Sequence, residues 1–152
     1  MNCTILTAEA LSRDAVALRT IARHLTRPGS DFSRKLHRWI AAEPATPEDG
    51  AIAIVRDEAS GEIVGWARTE TWLCDTSWNT LEAFVHLGWR KRGIAAFAAP
   101  GLVASGWLPE FDDAGRPTFV AVFRPAMMLL ARRVGLWPRL FQRDEAGRWV
   151  QA

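Results

Sequence analysis

Residues 84–95 read FVHLGWRKRGIA: an apolar, strand-like run, three consecutive basic residues, and a glycine two positions ahead of an alanine. A strand that ends in a small-residue turn leading into a helix presents backbone N–H groups that nothing inside the helix can satisfy. The helix dipole adds partial positive charge at that end, and Arg90, Lys91 and Arg92 add full charges suited to phosphate oxygens. Gly93 and Ala95 leave the backbone open to a pyrophosphate. A solvated surface cluster is the competing reading of three adjacent charges. Two familiar phosphate readers are excluded, because the chain has neither a Gly-Lys-Ser/Thr ending nor a G-x-G-x-x-G.

Working outward, residues 80–87 form a strand with Leu81, Ala83 and Val85 on one face and Glu82, Phe84 and His86 on the other. Residues 51–57 and 62–72 form two earlier strands, joined by a tight turn at Ser60-Gly61. Upstream, a short strand at 3–8 precedes a helix over 9–25. A second helix over 32–42 is capped by Ser30 or Asp31 and stopped by the Pro- and acid-rich stretch 43–50. Downstream, residues 93–108 form an Ala-rich helix that Pro100-Gly101 should kink or shorten. A strand at 118–123 and a helix at 125–136 follow, with Pro125 in its first turn and Gly135 at its end. Residues 137–152 make a closing hairpin. The order is β-α-α-β-β-β-α-β-α-β-β, an α/β (α+β) mixed sheet with helices packed on it.

Composition agrees with one domain spanning 1–152. The chain is 49% hydrophobic and 24% charged, without repeats or a linker. A formal net charge of +2 advertises no global attraction to nucleic acid or membrane. Cys3 and Cys74 have neither metal-ligand spacing nor disulfide-scaffold density, which points to a reducing, cytoplasmic setting and no metal. No apolar run is long enough for a membrane span. Eight tryptophans and no tyrosine are the compositional oddities.

The stretch FVHLGWRKRGIA resembles motif A of the GNAT acetyltransferase superfamily, Arg/Gln-x-x-Gly-x-Gly/Ala after a strand end, here Arg90-x-x-Gly93-x-Ala95. The order of elements over residues 3–152 resembles that fold too. The resemblance implies acetyl-CoA, or another acyl-CoA, as cosubstrate. The pyrophosphate would lie on Arg90, Lys91, Arg92, Gly93, Ile94, Ala95 and Ala96. The pantetheine arm would run along Phe84, Val85 and His86, where the motif-A strand splays from the parallel strand at 118–123. Arg124 falls where the family commonly has an asparagine, at the cofactor, and Met127 where it has alanine. Ala131 falls where a tyrosine usually protonates the CoA thiolate. With no tyrosine in the chain, no shift of register supplies one.

Acetyl transfer from a thioester requires a neutral amine, a polarised carbonyl and a protonated leaving thiol. Glu82 and His86 are the candidate bases, the first equally readable as a salt-bridge partner and the second as a structural residue. The N–H of Val85 or His86 could polarise the carbonyl. Water, Cys74, Glu82 or the substrate remain as proton donors. Trp72, Trp78, Trp89 and Trp107 belong to the core or line an aromatic acceptor cleft. Arg132 and Arg133 face solvent at a helix end or meet the adenosine phosphate. The reading is an N-acyltransferase for a small-molecule or macromolecular amine. Two alternatives stay open: a non-catalytic CoA- or partner-binding module, and an acyltransferase acting on nucleic acid or an aminoacyl-tRNA amine, using the basic residues 23–39 as a phosphate track. The C-terminal hairpin is a candidate homodimer edge.

Overall fold

A computed structural model describes residues 1–72, 75–136 and 139–151. The elements run β1 (Asn2–Thr7), α1 (Ala8–Arg13), α2 (Ala15–His24), α3 (Asp31–Ile40), β2 (Ala51–Arg56), β3 (Ile63–Thr69), β4 (Thr71–Trp72), β5 (Asp75–Thr80), β6 (Glu82–Val85), α4 (Ile94–Ala104), β7 (Phe119–Ala121), α5 (Pro125–Arg133), β8 (Leu140–Arg143) and β9 (Trp149–Gln151). The order is the one read from sequence with one strand added, β5, and with the first helix and the 62–72 strand each interrupted once.

Each interruption has a local cause. The first helix breaks at Asp14, whose N–H bonds Leu11 O at 3.0 Å while its carboxylate accepts from Ala17 N at 3.1 Å. A good N-cap inside an amphipathic run thus starts a new helix. The apolar period continues across it, so the sequence pattern reads as one helix. The second break falls at Glu70, between β3 and β4. Leu81, fully buried, separates β5 from β6. The stretch 75–80, which the sequence reading left without a strand, is β5.

Strands β1, β2, β3 and β6 form an antiparallel sheet, while β4, β5, β7, β8 and β9 form a second sheet in that order. In the second sheet β5–β7 and β7–β8 are parallel pairs, and β8–β9 closes as an antiparallel hairpin. The two sheets share one path of chain, since β5 and β6 are consecutive and only Leu81 stands between them.

Two cores flank this layer. One packs α4 and α5 on the strands through Val55, Ala67, Leu81, Leu102, Val120 and Leu140. The other packs α1–α3 on the first sheet through Leu18, Ile21, Leu36, Phe32, Ile54 and Trp66. Close approach of α4 to the sheet depends on Gly65, where a Cβ would fall 2.7 Å from Ile94 Cγ2 and 2.9 Å from the Phe84 carbonyl. Helix α4 continues through Pro100 and ends at Ala104, short of the residue 108 read from sequence. Pro100 is exposed, whereas Ala98, Ala99 and Leu102 are buried, so packing of the inner face holds the helix across the missing N–H.

Candidate functional site

The strands around Leu81 part company. Thr80 pairs with Ala121 across the parallel β5–β7 ladder, and Leu81 N reaches Ala121 O at 3.4 Å. From Glu82 onward the chain pairs only with β3, and the other side turns away after Val122, whose N–H bonds Phe141 O at 3.0 Å. A V-shaped opening results. Glu82, Phe84 and Val85 line one wall of a cavity of about 610 Å³, and Phe123, Arg124 and Met127 line the other. That volume lies in the range of small-molecule sites.

At one end of the opening lies the basic turn. His86, exposed, does not line the cavity. Its Nδ1 accepts from Gly88 N at 3.2 Å and so caps a short 3-10 turn over Leu87–Trp89. Its own N–H donates to Val64 O at 2.8 Å, which takes it out of the pair considered for polarising a carbonyl. Arg90 Nε donates to Val85 O at 3.1 Å, and the Arg92 guanidinium lies 4.8 Å from the Trp89 ring centroid. Lys91 and Gly93 have φ of +63° and +74°, and Gly93 is the N-cap of α4. A Cβ at Gly93 would meet nothing within 4 Å, so the glycine is required by its left-handed backbone and the space above it is open. Among the described residues, the N–H groups of Lys91 through Ala96 find no acceptor within the chain.

The other end holds a charged network that the sequence reading missed. Arg68, on β3 and only 3% exposed, donates through Nη2 to Glu70 at 2.7 Å and through Nη1 to Glu82. Lys35 on α3 donates to the same Glu70 oxygen at 2.8 Å and to Asp49. The Arg68 guanidinium lies 4.2 Å from the Phe32 ring centroid. Phe32 meets Trp66 edge-on at 4.8 Å, and Trp66 stacks on Phe84 at 6.4 Å. Arg68 interrupts the otherwise apolar IVGWART, and a charge on a strand buried on both faces was the available signal.

Burial opposes ionisation of Glu70, but the charges of Arg68 and Lys35 outweigh it and hold its carboxyl below the usual range. Asp49 is likewise held low, burial being overcome by Lys35 and by the N–H of Thr46. Burial lowers the basicity of Lys35, yet its two carboxylate partners raise it on balance. Glu82 is therefore both a lining residue and a salt-bridge partner, with its side chain 39% exposed.

The remaining candidates fall as follows. Arg124 precedes α5 at the cavity wall. Ala131 is fully buried in the core. Arg132 and Arg133 are exposed at the end of α5. Of the four tryptophans, Trp72 lines the cavity and stacks on Trp78 at 5.2 Å, Trp89 sits under Arg92, and Trp107 packs against the core. Cys74 lies outside the described residues. Among those residues no group of three or more His, Cys, Asp or Glu side chains is placed to hold a metal, and no helix is long and apolar enough to cross a membrane.

No protein-family model matches the sequence, and no curated protein matches it. Solved structures do. An aminoglycoside acetyltransferase in complex with coenzyme A and kanamycin superposes over 98% of this chain and 92% of its own at 15% identity, with a TM-score of 0.51. A phosphinothricin acetyltransferase from Sinorhizobium meliloti in complex with acetyl-CoA is 17% identical over 99% of this chain and 84% of its own, at a TM-score of 0.49. A glucosamine-6-phosphate N-acetyltransferase from Arabidopsis thaliana is 16% identical over 89% of this chain and 91% of its own, also at 0.49. Element order, splayed parallel strands and the superposition on the aminoglycoside acetyltransferase agree: the chain has the GNAT acetyltransferase fold.

Proposed function

We propose that the protein is an N-acyltransferase that moves an acetyl group from acetyl-CoA, or another acyl group from its acyl-CoA, to a small-molecule amine. One observation carries the reading: the opening between 82–85 and 122–124 ends at a turn whose N–H groups, from Lys91 to Ala96, have no acceptor among the described residues. A flexible thioester arm fits the opening, and a pyrophosphate fits the turn, where Arg90, Lys91 and Arg92 supply charge and Gly93 leaves access. Phe84 and Val85 form the wall the arm would follow, His86 lying outside it, and Arg124 faces it from the far side.

In this reading the acceptor nitrogen attacks the thioester carbonyl carbon, the C–S bond breaks, and the electron pair leaves on sulfur. Glu82 takes the proton that the amine gives up, directly or through water. With Ala131 in the core and no tyrosine in the chain, the leaving thiolate is stabilised by the cationic wall at Arg124 and protonated from water. The missing phenol also favours a second reading, a module that binds an acyl-CoA without transferring its acyl group.

Calorimetry with acetyl-CoA tests the common part: micromolar or tighter binding is expected, and no heat of binding would refute both readings. Thiol release in the presence of a panel of amines then separates them, since release that no amine accelerates leaves only the binding module.

A further inference from the structure

We infer that the acceptor is an arylalkylamine, a primary amine on a short apolar linker to a flat ring. Its ring stacks at Trp72 and its ammonium lies against Glu70 and Glu82. The inference deepens the acyltransferase reading and rests on it for the role of the cavity.

Trp72, Trp78, Phe119, Phe123, Phe141 and Trp149 form one connected set of rings. Centroid distances are 5.2 Å for Trp72–Trp78, 5.6 Å for Trp72–Trp149, 5.1 Å for Trp78–Phe141 and 5.4 Å for Phe123–Trp149. They come from β4, β5, β7, β8, β9 and the loop after β7, yet none belongs to either core. Their strand neighbours Val120 and Leu140 are the ones packed inward. The set is half-buried, and Phe123 is 59% exposed. Among the described residues no element covers this aromatic face, and an uncovered contiguous apolar face marks a binding surface more often than a structural need. Here it is continuous with the cavity, because Trp72 and Phe123 line that cavity as well.

Charge selects what the rings would hold. The carboxylates that line the cavity are Asp31, Glu70 and Glu82; of the lining cations, Arg68 is engaged by Glu70 and Glu82, Arg90 and Lys91 belong to the basic turn, Arg124 stands on the far wall, and Arg27 remains. Among the described residues, Glu70 Oε1 and Glu82 Oε2 accept no hydrogen bond, because Lys35 and Arg68 donate to the other oxygen of each carboxylate. Two free carboxylate oxygens in a cavity that Trp72 and Phe123 also line favour an ammonium group, and the rings favour a flat apolar body attached to it. An aliphatic amine would use the carboxylates and leave the rings idle. A sugar amine would bring hydroxyls to a face that has few partners for them.

Binding to the full chain without acetyl-CoA decides the matter. NMR titration with tryptamine, phenethylamine, n-hexylamine and glucosamine should rank both ring-bearing amines above the other two by about tenfold or more. Trp72→Ala should abolish that preference and Trp72→Phe should largely restore it. Equal affinity for n-hexylamine or tighter binding of glucosamine overturns the inference, and the wild-type ranking alone suffices if the alanine variant fails to fold. A preference that survives in a folded Trp72→Ala protein overturns it too. The readout is independent of acyl transfer: a chain that binds acetyl-CoA but ranks the amines otherwise loses this inference only. One that ranks the amines as stated but ignores acetyl-CoA loses the acyltransferase reading only.

Discussion

Arg68 and Glu82 face each other across the antiparallel β3–β6 ladder as register partners, and the buried guanidinium donates to the carboxylate at the point where the strands begin to splay. The pair fixes the side chain proposed as base, and Phe32 supports it from below at 4.2 Å from the guanidinium carbon. A buried ion whose partner is removed leaves an uncompensated charge. Arg68→Leu should therefore cost about 3 kcal/mol or more in urea denaturation, because Glu70 and Glu82 are left without their shared donor. A change below about 0.5 kcal/mol would show that the pair is solvated in solution.

Glu82→Gln removes the basic function while keeping an oxygen for Arg68, whose charge Glu70 still faces. Turnover should fall about a hundredfold or more while acetyl-CoA affinity stays unchanged. Steady-state kinetics beside calorimetry checks both halves, and unchanged turnover would assign the proton transfer elsewhere.

Gly93 has a left-handed backbone and open space at its Cβ position. Gly93→Val places a β-branched residue at φ +74° and fills the mouth of the turn. Stability should drop by about 1–2 kcal/mol, whereas acetyl-CoA binding should fall below detection. Loss of stability with intact binding would place the pyrophosphate elsewhere.

Gly65 differs in kind, since its Cβ would strike Ile94 and the Phe84 carbonyl. Gly65→Ala pushes α4 off the sheet and should destabilise by about 1–3 kcal/mol. Thermal unfolding of Gly65→Ala against Gly61→Ala separates packing from backbone conformation, because Gly61 has positive φ and no neighbour within 4 Å.

The Lys35–Asp49–Glu70 cluster sets a pH window. Glu70 and Asp49 titrate below their ordinary values of 4.5 and 3.8, so their contribution is present above those values and lost as pH falls through the lower folded ones. Lys35 titrates above its ordinary 10.5, so its contribution is complete below that value and lost as pH rises through the folded one. Denaturation midpoints should form a plateau between about pH 5 and 10 with losses at both ends. In Glu70→Gln the acid loss should shrink.

The elements were legible because each is encoded locally. Ser30 caps α3 through its hydroxyl at 3.1 Å from Ser33 N, Pro125 opens α5, and the turn at Ser60-Gly61 closes β2 onto β3, all as the residue types suggest. The break at Asp14 and the continuity through Pro100 were not legible, since apolar periodicity outlasted the first and tertiary packing overrode the second. Of the site, the turn at 90–96 was readable from residue spacing. His86 was only half readable: its place at the strand end was plain, but its bond to Gly88 was not. The Arg68 network was unread, because Lys35 and Glu70 meet across 35 positions of sequence.

Sequence by itself determined the element order apart from β5 and the breaks at Asp14 and Glu70, the basic turn before α4 and the absence of any phenol that could donate a proton. These follow from local spacing and composition, which no folding event can alter. Only the tertiary structure decided where β5–β6 leaves β7, which carboxylates Arg68 neutralises and which tryptophans share a face. Each of those depends on strand register, and register is set by the buried faces of distant segments rather than by the residues of any one of them.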